Sequence, residues 1–98
     1  MYTVLLFGDV KAQAGAGAVL VPAPEAGHTA ATLLDALRSA EGVLVAATKA
    51  PFHAPASWAD LVRPAVLAVD MEYVSADGLN RPIAPNAEVA LIPPISGG

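Results

Sequence analysis

Two short, uninterrupted apolar runs stand near opposite ends of the chain, Val4 to Phe7 and Val89 to Ile92. Each has the length of a strand and is too short for a globular helix, and each is closed by a breaker, Gly8 after the first and the Pro93–Pro94 pair after the second. Runs without polar alternation suit strands buried on both faces, which places both in the middle of a sheet. The strands, read as Tyr2 to Phe7 and Glu88 to Ile92, are therefore expected to be central neighbours running parallel.

Between them, a single stretch has the spacing of a full amphipathic helix. Ala30, Leu33, Leu34 and Leu37 share one face of a helix from Ala30 to about Ala40, with Thr29 as N-cap and Arg38 and Gly42 as stop signals. The smaller pieces fall around it. Asp9 to Ala14 can make a helical turn, Gly15, Ala16 and Gly17 a reversal, and Ala18 to Val21 a second strand that Pro22, Ala23 and Pro24 end. Gly42 to Ala56, with Pro51 and Pro55 around Phe52 and His53, reads as a surface excursion.

Ser57 can cap a short helical stretch through Trp58, Leu61 and Val62, after which Pro64 resets the chain for a strand from Ala65 to Val69. Asp70, Met71 and Glu72 turn the chain into Tyr73 and Val74. Asp77–Gly78 and Pro85–Asn86 are further turns, with Pro82 to Pro85 crossing the surface. The order predicts an α+β fold, one main helix across a mixed sheet, in a single domain spanning 1–98 without repeat or linker.

Composition excludes several functions. The five Lys and Arg (Lys11, Arg38, Lys49, Arg63, Arg81) are scattered in a chain of net charge -4, so nucleic acid finds no electrostatic footprint. There is no Cys, which removes disulfides, thiolate metal sites and cysteine nucleophiles. No metal site is expected, since His28 and His53 stand far apart without a ligand motif and read as surface or loop residues. Without a secretory leader or an apolar span long enough for a bilayer, the expected location is cytoplasmic.

The sequence ends Pro93, Pro94, Ile95, Ser96, Gly97, Gly98, and there residue choice makes poor structural sense. Two prolines stiffen the chain as it leaves the last strand and project the residues beyond them. Two glycines then let a backbone thread a channel too narrow for any Cβ. The expectation is a tail, 93–98, made to enter another protein's active site. A terminal carboxylate at its tip is ionised at neutral pH and a poor electrophile, so it would need activation before any nucleophile could attack.

The last strand and tail, Glu88 to Gly98, resemble those of the MoaD/ThiS family of ubiquitin-like sulfur carriers, and within it most nearly the molybdopterin synthase small subunits. Similarity extends to Val4, Leu5, Leu6 and Phe7 followed by Lys11 and Gly15, to Leu33, Leu34 and Leu37, and to Ala68, Val69, Glu72, Tyr73 and Val74. Departures fall in turns: Asp70–Met71 replaces an Asn- or Gly-containing turn, Pro85, Asn86 and Ala87 an Asp-Gly-Asp type turn, and Gly8 a common Ala.

The resemblance implies a β-grasp fold and a relay through Gly98. An E1-like activating enzyme would spend ATP to adenylate the Gly98 carboxylate, and a sulfur donor protein would displace AMP to leave a thiocarboxylate. No cofactor would be bound permanently, ATP being used by the partner. Pro94, Ile95, Ser96 and Gly97 would enter the large subunit of molybdopterin synthase, commonly in a heterotetramer, and the catalytic groups would belong to that partner. Phe7, Leu91 and Pro93 are the expected docking residues, with core packing the alternative for Leu91. Competing readings are a thiamin-type sulfur carrier, a ubiquitin-like modifier joined to lysines, and an interaction module with an inert tail.

Overall fold

The computed structural model describes residues 1–93. Strand β1 (Tyr2–Leu6) leads into helix α1 (Gly8–Ala14), and Gly15, in the left-handed region at φ 68°, lets the chain return as the antiparallel strand β2 (Ala18–Val21). Strand β3 (His28–Thr29) opens helix α2 (Ala30–Ser39). Strand β4 (Leu44–Val45), helix α3 (Trp58–Val62), β5 (Val66–Val69), β6 (Glu72–Tyr73), β7 (Pro82–Ile83) and β8 (Val89–Ile92) complete the chain.

The main sheet has the order β4-β2-β1-β8-β5-β6, and β3 and β7 form a second, two-stranded sheet. As expected, the first and last strands are central parallel neighbours, Val4 opposite Val89 and Leu6 opposite Leu91. The other pairings are antiparallel. With α2 contributing Ala30, Leu33 and Leu37 to the core on one side, this is an α+β, β-grasp arrangement.

Thr29 caps α2 as its position suggests: its hydroxyl accepts from the Thr32 N–H at 3.2 Å, and Thr32 accepts from the Thr29 N–H at 2.9 Å. The helix ends earlier than Gly42. Ala40 takes the left-handed turn at φ 59°, and its N–H bonds the Ala36 carbonyl.

Burial on both faces is found in β8, where the consecutive residues Val89, Ala90 and Leu91 are all buried, and is not found in β1. In β1, Tyr2, Val4 and Leu6 are buried, Leu5 is half-buried and Thr3 is exposed. The helices cover only one face, because among the described residues α2 is the only helix longer than two turns. On that face Tyr2 pairs with Val21, Val4 with Val19 and Val89, and Leu91 with both Leu6 and Leu67, all at most 2% exposed.

Three surface assignments are corrected by the tertiary contacts. The Gly42 to Ala56 stretch is not a free excursion: β4 adds to the sheet edge, and Phe52 is buried edge-on to Trp58 with ring centroids 4.9 Å apart. The Pro82 to Pro85 segment does not simply cross the surface, since Ile83 is buried and pairs with His28. His28 is itself buried. Its Nε2 lies 2.9 Å from the Pro22 carbonyl, which can only accept, so Nε2 carries the proton and Nδ1 faces the Thr32 hydroxyl at 3.0 Å.

Two polar ties hold these layers together. The Tyr2 hydroxyl donates to the Ile83 carbonyl at 2.5 Å and accepts the His28 N–H at 2.9 Å, joining β1 to β7 and β3. The Trp58 indole donates to the Leu37 carbonyl at 2.6 Å, one of the last four carbonyls of α2 that lack an intrahelical partner. Replacing Trp58 by Phe removes that donor and leaves a gap beside Phe52. Urea denaturation of Trp58→Phe is expected to show a loss of about 2 to 4 kcal/mol with an unchanged m-value.

Candidate functional site

Because β1 and β8 run parallel, the chain leaves β8 at the same edge of the sheet at which β1 gives way to α1. The register that pairs Leu6 with Leu91 brings Phe7 level with Ile92 and Gly8 level with Pro93. A Cβ built on Gly8 would stand 2.9 Å from Cγ of Pro93, so the proline ring lies close over the bare α-carbon of Gly8. The far end of β8 is held as well. Asp70 donates its N–H to the Glu88 carbonyl at 2.8 Å, and its carboxylate accepts the Glu88 N–H at 3.0 Å.

That clamp comes from the hairpin turn between β5 and β6. Asp70 and Met71 both have positive φ, 50° and 71°, the conformation of a two-residue turn whose twist suits antiparallel strands. Asp70 thus serves twice, in the backbone of the hairpin turn and, through its carboxylate, in the hold on Glu88.

The second element of the site is the face of the sheet opposite the helices. Register places Thr3 with Leu20, Leu20 with Leu44, Leu5 with Ala18 and Ala90, Ala68 with Ala90 and Tyr73, and Val66 with Ile92 on this side. None of these residues is charged. Tyr73 is 72% exposed and Val66 42%, and Phe7, beyond the end of β1, is 44% exposed. Half-buried and exposed apolar side chains on an uncharged sheet face that no helix covers are the kind of surface that protein association uses.

Of the expected docking residues, Phe7 is exposed and Pro93 is half-buried against Gly8, so both stand where the tail begins. Leu91 does not. It points to the helical face, is fully buried and belongs to the core, because the period of two that turns the half-buried Ile92 to the other face turns Leu91 inward. Pro94, Ile95, Ser96, Gly97 and Gly98 lie outside the described residues. Reading from sequence missed Val66, Tyr73 and Ile92. A signal was available: one long helix cannot cover both faces of a sheet whose strands are apolar throughout, so one apolar face must remain uncovered.

Among the described residues, no group of three or more His, Cys, Asp or Glu gathers where it could hold a metal ion, and no helix is long and apolar enough to cross a membrane. A cleft of about 450 Å³ lined by Asp70, Tyr73, Asp77 and Arg81 lies by the start of β8, away from the exit of the chain. What the described residues offer instead is an uncharged sheet face beside the end of β8.

Compared with known families, residues 4–98 match the sequence model of the ThiS family. The chain belongs to the ThiS family. It is thus a ubiquitin-like sulfur carrier of the β-grasp class, a kind of protein that works with E1-like enzymes and sulfur-using subunits. No curated protein and no solved structure gave a match.

The two sides of the sheet in this ThiS-family chain are expected to respond oppositely to truncation. Leu91→Ala should lose about 2 to 5 kcal/mol of stability in urea denaturation, as a buried Leu does. Tyr73→Ala, on the open face, should change it by no more than about 0.5 kcal/mol.

Proposed function

We propose that this chain carries sulfur for molybdopterin synthase, as the small subunit that presents a thiocarboxylate at Gly98 to the pterin precursor. The family match, running through residue 98, carries this reading, and the tail Pro93, Pro94, Ile95, Ser96, Gly97, Gly98 favours the molybdopterin branch over the thiamin branch. The lack of any Cys agrees with a carrier that receives its sulfur from outside.

The chemistry proceeds in two balanced steps. An oxygen of the Gly98 carboxylate attacks the α-phosphorus of ATP held by the activating enzyme, and pyrophosphate leaves, so the inert anion becomes a mixed anhydride. A sulfur nucleophile then adds to the carbonyl carbon, and AMP departs with the bonding electron pair. With hydrosulfide as nucleophile there is no redox change and the product is the thiocarboxylate. The thiocarboxylate sulfur is then a nucleophile on a covalent arm, delivered at high effective concentration to the precursor bound by the large subunit.

The open apolar face supports the same reading, because a tail can be aligned in a partner's channel only if the body it leaves is also held. Phe7, Val66, Tyr73 and Ile92 are proposed to make that hold, with an activating enzyme and with the large synthase subunit in turn. The two encounters then exclude each other, so the carrier is released by one before it serves the other.

Incubation with an E1-like activating enzyme, Mg-ATP and sulfide, followed by intact-mass and C-terminal fragment analysis, is expected to show one oxygen exchanged for sulfur at Gly98. A chain lacking Gly97 and Gly98 should fold and show no exchange. Supplying the sulfurated carrier to molybdopterin synthase large subunit should yield dithiolene. Exchange without dithiolene, together with thiazole formation by thiamin-pathway enzymes, would move the chain to the thiamin branch, and conjugates to lysine would make it a modifier.

A further inference from the structure

One close contact fixes where Pro93, the last described residue, sits on the body. Gly8 has φ +57°, a conformation that L side chains rarely adopt, and a Cβ on it would stand 2.9 Å from Cγ and 3.8 Å from Cδ of Pro93. Two separate constraints thus keep this position bare. The first concerns the turn from β1 into α1, and the second concerns the ring of the residue that begins the exit.

We infer that Gly8 is a positioning residue for sulfur loading: its bare α-carbon seats the Pro93 ring and so aims the segment beyond it. This rests on the carrier reading proposed for Gly98. Pro93 has φ confined by its ring, so a ring held against Gly8 passes its orientation to the next peptide with little freedom to lose. The seat has firm ground beneath it. Val10 of α1 is fully buried, Leu6 and Leu91 are paired and buried, and Lys11 N–H bonds the Phe7 carbonyl at 3.2 Å. A side chain at position 8 cannot retreat into this framework, so the Pro93 ring is the part that moves.

The physical gain is in effective concentration. A tail that leaves in one direction reaches the activating site in a larger fraction of docked encounters than a tail that swings over a cone, and small misplacements of a reacting group cost rate steeply. The affinity of the body for its partner is not involved, since the open sheet face lies on other residues. The loss should therefore fall on kcat for adenylation and not on KM.

The test uses Gly8→Asn in the full chain, because Asn enters the left-handed region more readily than other side chains while still placing a Cβ against Pro93. Thermal unfolding confirms that the variant is folded at the assay temperature, and Gly8→Asp serves in its place if it is not. The expected result is a fall of about tenfold in kcat for ATP–pyrophosphate exchange with KM within about twofold of wild type. In a double-mutant cycle, Gly8→Asn placed in a Pro93→Ala background should cost less than about twofold, because the ring it displaces is gone.

An equal loss in both backgrounds would show that Gly8 acts through the strain of its own turn, and the inference would fall. It would fall equally if Gly8→Asn exchanged at the wild-type rate. A proton-proton NOE from Gly8 Hα to the Pro93 ring, present in the wild-type chain and lost in Gly8→Asn, reads the seat without any activity. Absence of that NOE in the wild type overturns the seat while leaving the carrier reading intact. If the wild type shows the NOE but is not adenylated by an activating enzyme competent on its own carrier, the carrier reading has failed and the positioning role goes with it.

Discussion

The parallel pairing of β1 with β8 joins the two ends of the chain in the middle of the sheet, and most of the molecule is arranged around it. A parallel pair cannot be made by a tight turn, so everything from Gly8 to Glu88 is the connection that permits it. Its register decides the rest: Leu6 beside Leu91 puts both in the core, and one step further it sets Phe7 and Gly8 beside Ile92 and Pro93. The exit of the chain is therefore built from residues separated by almost its whole length. The Asp70 clamp on Glu88 holds the other end of β8, so the strand is held at both ends.

The sheet has helices on one side only, and that asymmetry has a functional consequence. Tyr2, Val4, Val19, Val89 and Leu91 are sealed beneath α2 and its neighbours, whereas Val66 and Tyr73 remain in solvent on a face with no charge. Apolar area left uncovered next to an exit is tolerated when a partner covers it during function. The polar ties that matter for stability, Tyr2 to Ile83 and His28 and Trp58 to Leu37, all lie on the covered side. Stability thus draws on one face of the strands, and the docking proposed above would draw on the other.

Much of this was legible from residues alone. Thr29 before an i, i+3, i+4, i+7 pattern located α2, and the two apolar runs located β1 and β8 as parallel neighbours. What failed did so for identifiable reasons. An apolar run does not say whether its second face meets helices or solvent, so Leu91 and Ile92 could not be told apart as core and surface. His28 and Phe52 looked like loop residues because the contacts that bury them come from Tyr2, Thr32 and Trp58, distant or mediated by turns that local pattern does not reveal. Ala40 in a left-handed turn gave no signal, since Ala has no preference for it.

By itself the sequence determined the main helix, the longer strands and their order, and it supplied the residues from Pro93 to Gly98 on which the proposed chemistry rests, because propensity, periodicity and proline stiffness are local properties of the chain. Only the tertiary structure decided which face of each strand is buried, that Gly8 and Pro93 meet, and that Val66, Tyr73 and Ile92 share one open surface. Those facts depend on register, and register is settled when strands from distant parts of the chain pack their apolar sides beneath the same helix; a slip of one residue would turn every side chain to the other face.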